Sequence, residues 1–176
     1  GATATEVAQP AILGASLIAA DVLARAGVDA VCALGHSLGE IAALCWAGAL
    51  DAPDAVALAA RRGAIMAAHG APGGAMLHAD LAGPAERIDH LAAALAADGI
   101  GHGRLAVSHA FHSPDMAPAA PILADALART PLRPLRRAAL SSVTGGWIAP
   151  EDDLRDLLTR QLVAPVRFAE AAAALG

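Results

Sequence analysis

The chain has 176 residues, of which 56% are hydrophobic but only 2% aromatic, with no lysine and a net charge of −5. This length suits one domain with a sizeable core, and the scarcity of rings means that the core forms by close approach of alanine-rich helices. Acids and arginines are interspersed, which excludes a nucleic-acid footprint, and no uncharged apolar run reaches the ~18 residues of a membrane span.

In chain order, Pro10 opens an apolar helical run, Ala11–Ala26, that stops at Gly27. Residues 28–34 read as a short apolar strand, followed at once by Gly35-His36-Ser37-Leu38-Gly39-Glu40 and a helical pattern in Ile41, Leu44, Cys45 and Ala49. Strand, Gly-x-Ser-x-Gly, helix is the setting of a nucleophile elbow. The glycines permit the sharp turn, and Ser37 stands exposed at the strand end. The helix behind it aims unpaired amides at the reacting atoms, which makes the Leu38 N–H the oxyanion donor. Cys32 and Cys45 fall in apolar settings and are expected to be small buried hydrophobes, with no disulfide and no metal site.

A second helix is predicted from Pro53-Asp54 to about His69, stopped by Gly70-Ala71-Pro72-Gly73-Gly74. On it Leu58, Arg62, Ile65 and Met66 share one face, while Arg61 points about 100° away. Arg62 therefore faces inward, toward a structural carboxylate or a bound anion, unless it snorkels to solvent. Ala75–Ala79 reads as a short strand, Pro84–Ala97 as a helix ended by Asp98-Gly99, and Arg104–Ser108 as a further strand. Ser113-Pro114-Asp115 combines an N-cap, a first-turn proline and an acid, which leaves His112 on the loop before a helix-rich stretch, Ala117–Ala128. Ala138–Val143 reads as a strand with a Gly145-Gly146 turn. A helix then starts at Pro150-Glu151-Asp152-Asp153 and runs to about Val163, and Pro165 precedes a last helix. Strands alternating with helices predict an α/β fold with a parallel sheet.

A serine needs a base to become nucleophilic. Of seven histidines, His36 is adjacent to Ser37 and points away from the line of attack. His69, His78, His90 and His102 sit in polar or helix-end settings, which leaves His109 or His112 as the base. His109-x-x-His112 lacks a third ligand for zinc, so no metal is expected. An esterase of the α/β-hydrolase type is the competing reading, and it would need an acid from Asp80, Asp89 or Asp98.

The Gly-His-Ser-Leu-Gly-Glu elbow, an arginine twenty-five residues after the serine, and Ser108-His109-Ala110-Phe111-His112-Ser113-Pro114 together resemble an acyltransferase domain of a modular or iterative type I polyketide synthase. More distantly the chain is similar to the malonyl-CoA:acyl-carrier-protein transacylases. The likeness extends through Thr5–Pro10, Arg61-Arg62-Gly63, Gly74-Ala75-Met76, Ser141–Gly145, Arg160-Gln161-Leu162 and Pro165–Phe168. The resemblance implies Ser37 as the acylated nucleophile and His112 as its base, in a dyad whose imidazole is oriented by a backbone carbonyl near Ser142. It implies Arg62 as a bidentate clamp for the free malonyl carboxylate. It further gives Gln9, His36, His109, Phe111 and Gln161 as substrate-binding residues. His109-Ala110-Phe111-His112 resembles the malonyl-type signature, in which a phenyl ring fills the space of an α-methyl group.

The same resemblance implies a parallel-sheet, hydrolase-like core, residues 1–76 and 106–176, and a reduced ferredoxin-like small subdomain, residues 77–105. Relatives need roughly thirty residues more there, enough for about a helix and two strands. They also have a first strand and a Gly-Gln-Gly segment, with a second oxyanion donor, ahead of where this chain starts. A truncated, inactive fragment acting as a structural or docking module is therefore the alternative expectation. The implied substrates are malonyl-CoA and the phosphopantetheine thiol of an acyl carrier protein, with no tightly bound cofactor. The expected partners are that carrier protein and the neighbouring ketosynthase and linkers, in the cytoplasm, without nucleic acid or membrane.

Overall fold

The computed structural model describes residues 4–77 and 81–176. Helix α1 spans Thr5–Arg25, so it starts ahead of the predicted opening at Pro10, and Pro10 lies inside it. A proline this early forfeits one intrahelical hydrogen bond, and packing against α3 (Ala52–His69) offsets that loss. A Cβ on Gly63 of α3 would lie 2.7 Å from the Thr5 carbonyl oxygen and 2.8 Å from the Glu6 Cα. Glycine therefore lets the first turn of α1 close on α3 and sets Gln9 beside Arg62. By length and composition α1 is apolar enough to cross a membrane, a property hidden from the search for uncharged runs by Glu6 and Asp21. Here Leu13 and Gln9 are buried on its α3 side, while Ile18, Val22 and Leu23 stay exposed.

Strand β1 (Cys32–Leu34) leads through the elbow into α2 (Gly39–Trp46). The α3 helix starts where the sequence places it, because Asp51 caps it by accepting from the Asp54 N–H at 2.9 Å. Next come β2 (Gly74–Leu77), β3 (Leu81–Pro84) and α4 (Ala85–Ala97). Strands β2 and β3 form an antiparallel hairpin, and Ile88 of α4 closes a small separate core over Ala75 and Leu77. The predicted strand over Arg104–Ser108 is absent: Arg104 makes one isolated bridge to Leu77 and an ion pair with Asp89 on α4. The Leu105 N–H also bonds the Met76 carbonyl at 2.9 Å, but Leu105 and Ala106 remain exposed, with no sheet face to bury.

A 3₁₀ turn, Pro114–Ala119, runs into α5 (Ala120–Ala128), with Ser113 as the cap of the turn. Strand β4 (Ala138–Ser141) pairs in parallel with β1, and β5 (Gly146–Trp147) adds to β4 antiparallel. The larger sheet, ordered β1-β4-β5, is therefore mixed, with the expected parallel pairing confined to β1 and β4. Helix α6 covers Leu154–Arg160 and α7 Phe168–Ala173. The α6 helix starts later than Pro150 because Asp153 caps it, accepting from the N–H groups of Arg155 and Asp156, while Asp152 is spent on a turn to the Ala149 N–H.

The main core is aliphatic, built from Leu13, Ile41, Leu44, Leu58, Met66, Met116, Leu123, Leu127, Leu158 and Leu162 with interleaved alanines. Alanines 47, 49, 55, 59 and 119 are fully buried, which is the close helix approach that the composition requires.

Candidate active site

The elbow joins β1 to α2 through a backbone that few residues tolerate. Ser37 has φ +53° and His112 φ +57°, and among the described residues no other non-glycine residue has a positive φ. Strain of this kind persists only where the surroundings enforce it. A Cβ on Gly35 would lie 2.1 Å from the Gly39 carbonyl carbon, so glycine is obligatory there. Gly39 has open space around its Cβ direction, so the expectation that both glycines are needed holds for the first only. Leu38 caps α2 in right-handed helical backbone and presents its N–H at the positive end of that helix.

Ser37 Oγ lies 2.6 Å from His112 Nε2, and His112 Nδ1 lies 2.8 Å from the Gln161 carbonyl oxygen. A carbonyl only accepts, so Nδ1 carries the proton and Nε2 is the lone-pair acceptor for the serine hydroxyl. Of the two histidines left open as base, His112 stands within hydrogen-bond reach of Ser37, whereas His109 meets Ser108. The orienting carbonyl is that of Gln161, not one near Ser142. Gln161 caps the C-terminus of α6, where helix carbonyls have no intrahelical partner, and so its oxygen is free for the imidazole. The Ser142 carbonyl instead accepts from the Arg167 N–H at 2.7 Å. Burial, reinforced by the charge of Arg62, pushes His112 down to about 4, while the Gln161 bond opposes the shift. The imidazole is thus neutral across the physiological range, with the Nε2 lone pair free to accept a proton.

Arg62 is buried, 3% exposed; it does not snorkel and, among the described residues, bonds no carboxylate. Its Nη1 donates to Gln9 Oε1 at 2.7 Å and its Nη2 to Gln161 Oε1 at 3.0 Å, while its Nε has no partner among the described residues. Burial lowers Arg62 to about 10, opposed by the negative charge of Glu40, so it keeps its proton. Gln9 is fixed in turn by donating to Thr5 Oγ1 and Met66 Sδ. Gln9, Ser37, Leu38, Arg62, Met66 and Phe111 line one cavity of about 530 Å³.

Three of the expected binding residues, His36, His109 and the buried Gln161, do not line that cavity. The His109 ring stacks on Phe111 at 6.0 Å and meets Ser108 Oγ at 2.8 Å, so it backs the phenyl ring from behind. His36 is exposed and tilts against Phe168 at 5.5 Å, on a larger groove of about 880 Å³ that borders Ser37 from the other side. Of the acids that an esterase triad would need, Asp89 pairs with Arg104 and Asp98 caps α4; Asp80, like His78, lies outside the described residues. Among the described residues no three His, Cys, Asp or Glu side chains gather as a metal site.

Glu40 is the residue that sequence reading passed over. An acid in the first turn of a helix reads as a dipole partner, yet Glu40 is 0% exposed and bonded to the Gln161 side-chain amide. Its only sequence signal is its place directly behind the elbow.

Residues 1–82 match the model of the acyl transferase domain family. The chain is 37% identical to the malonyl CoA-acyl carrier protein transacylase of Mycobacterium tuberculosis over 94% of its own length and 65% of that protein's. Among solved structures, the acyltransferase domain of the iterative polyketide synthase in enediyne biosynthesis aligns at 46% identity and TM-score 0.88, over 99% of this chain and 54% of that one. A transacylase from Streptococcus pneumoniae aligns at 30% identity and TM-score 0.84, over 98% of this chain and 67% of that one. A further structure, 28% identical with TM-score 0.84 over 97% of this chain and 66% of that one, is of a malonyl-transacylase in complex with a type II polyketide synthase acyl-carrier protein. The chain spans 13% of a polyketide synthase subunit of M. tuberculosis to which it is 30% identical over 92% of its own length.

Proposed function

Because the chain belongs to the acyl transferase domain family, we propose that it carries a malonyl extender unit from malonyl-CoA, through an ester on Ser37, to the phosphopantetheine thiol of an acyl carrier protein in polyketide synthesis. The observation that carries this reading is the buried Arg62 guanidinium, which faces the same cavity as the nucleophile and is held by two neutral amides. Its remaining N–H groups match a carboxylate in a fork geometry that a neutral acyl group does not use.

In the first half-reaction Ser37 Oγ attacks the thioester carbonyl as His112 Nε2 takes the hydroxyl proton. The Leu38 N–H receives the developing oxyanion. Collapse breaks the carbon–sulfur bond, and the imidazolium returns its proton to the departing CoA thiolate. In the second half-reaction the carrier thiol attacks the Ser37 ester and gives its proton to His112. Collapse then frees Ser37 Oγ, which regains that proton. The chemistry needs no tightly bound cofactor. The complex of a related transacylase with its carrier protein supports such a partner here. The neighbouring ketosynthase and linkers of a parent synthase in the cytoplasm complete the proposed setting, with neither nucleic acid nor membrane involved.

The test is intact-protein mass spectrometry after mixing with malonyl-CoA or acetyl-CoA, with Ser37→Ala alongside. A malonyl-sized gain in the unsubstituted protein, absent in Ser37→Ala and weak with acetyl-CoA, is expected. No gain in a folded protein, or equal loading by both donors, overturns the assignment.

A further inference from the structure

Glu40 and Arg62 are two buried ions that share no hydrogen bond. One amide stands between them: Arg62 Nη2 donates to Gln161 Oε1, and Gln161 Nε2 donates to Glu40 Oε2 and, at 2.8 Å, to the Ser37 carbonyl. Ser142 Oγ lies 3.5 Å from the same carboxylate oxygen. A side-chain amide can be seated either way round, and its surroundings decide which. Here an acceptor-only carboxylate and an acceptor-only carbonyl both demand the NH₂ end, and a donor-only guanidinium demands the oxygen. Without the carboxylate, the NH₂ end would keep one fixed acceptor instead of two.

The arrangement also explains why an acid is kept in a place where an apolar side chain would avoid its desolvation cost. A carboxylate bonded directly to Arg62 would occupy the donors that an incoming acid must use. One amide away, it offsets the charge of the guanidinium and leaves those donors free. Burial pushes the Glu40 carboxyl up, and donors from Ser141, Gln161 and Ser142 hold it back.

Building on the proposed acyl transfer, we infer that Glu40 is a positioning residue: its buried carboxylate fixes the orientation of the Gln161 amide, and Gln161 holds Arg62 by its side chain and His112 by its backbone carbonyl. Glu40 touches no reacting atom: its hold on the dyad runs through Gln161, and its charge separately offsets that of Arg62.

The experiment measures Ser37 labelling by phenylmethanesulfonyl fluoride, which needs the dyad but not an acid-bearing substrate, beside malonyl loading. The variants are Glu40→Leu, Glu40→Gln, Gln161→Ala and the Glu40→Leu/Gln161→Ala double variant, each checked for folding by circular dichroism. Glu40→Leu is expected to slow labelling about tenfold or more, while Glu40→Gln, which can still offer an acceptor oxygen, stays within about threefold of the unsubstituted protein. The double variant is expected to be no slower than Gln161→Ala, because residues acting through one another do not add. Folded Glu40→Leu that labels at the unsubstituted rate, equal loss in the Leu and Gln variants, or additive losses in the double variant would each overturn the inference. Should the unsubstituted protein label with the sulfonyl fluoride but refuse malonyl-CoA, the acyl assignment fails while these comparisons still decide the role of Glu40.

Discussion

Ser37 stands between two hollows of different construction. The smaller, about 530 Å³, has Arg62 and Gln9 at its wall, each held in place by named partners. The larger, about 880 Å³, runs along α1 and β1 past His36, Trp46, Arg137 and Phe168. Its polar side chains lie at the surface: Arg137, exposed, lies over the Trp46 ring at 4.8 Å, and His36 is exposed beside Phe168. A buried, oriented cation discriminates by charge because leaving it unpaired is costly. An open apolar groove discriminates mainly by shape, and each methylene there is worth little. Selection of the acyl group is therefore expected on the Arg62 side, and changes there should outweigh changes on the groove side.

The largest effect is expected where both hollows meet. His112→Ala removes the proton acceptor 2.6 Å from Ser37 Oγ and should slow single-turnover malonyl-enzyme formation by about 10³-fold. A loss below tenfold would move the base elsewhere and dissolve the distinction between the two sides. Next comes Arg62→Ala, with an expected fall of about 10²-fold in kcat/KM for malonyl-CoA, in the range for truncating one partner of a buried charge pair. Acetyl-CoA should be unaffected or improved, and equal losses on both donors would remove the charge argument. The pH profile sharpens the same test. His112 titrates near 4 because burial and then the Arg62 charge disfavour its proton. The acid limb of the acylation rate should therefore lie near pH 4, below the usual histidine range of about 6.5. Removing the Arg62 charge makes protonation easier, so in Arg62→Ala that limb should move up in pH, and a limb that stays near pH 4 would count against the charge contribution.

The sequence discloses what is local. The elbow, the cap at Ser113, and the inward face of α3 each depend on neighbours within one or two helical turns, and they stand as the spacing predicts. What it conceals depends on distant segments meeting. Ser37 and His112 are 75 residues apart, and His112 and Gln161 are 49 apart. Choosing His112 over His109, and Gln161 over a residue near Ser142, requires the path of two loops that no periodicity encodes. The family likeness set Ser37 beside His112 and turned Arg62 inward, as the geometry has them, but it put the carbonyl near Ser142, just past β4, where the Arg167 N–H takes it and the end of α6 offers Gln161 instead. Arg104–Ser108 failed as a strand for a related reason: alternation needs a sheet face to bury against, and Leu105 and Ala106 stay exposed. Glu40 stayed hidden because burial of an acid is a property of the whole site.

The smallest of these effects concerns shape within the charged hollow. Phe111 lines it with its ring, and His109 stacks behind that ring, so the phenyl group has little freedom to yield. Phe111→Ser would open room for an α-methyl group while leaving Arg62 and Ser37 untouched. A methyl group in a pocket is worth about 1–3 kcal/mol, or roughly tenfold and upward in relative kcat/KM. Competition between malonyl-CoA and methylmalonyl-CoA, read as the ratio of the two acyl-enzyme masses, should therefore shift by about tenfold toward methylmalonyl. The shift must come without a comparable change toward acetyl-CoA, since the charge requirement is set by a different residue. An unchanged ratio would mean that the methyl group is accommodated away from position 111. A rise in acetyl loading as large as that in methylmalonyl would mean that Phe111 supports the Arg62 clamp and does not shape the space beside it. The division of labour within the smaller hollow, charge from Arg62 and shape from Phe111, stands only if these two substitutions alter selectivity along separate axes.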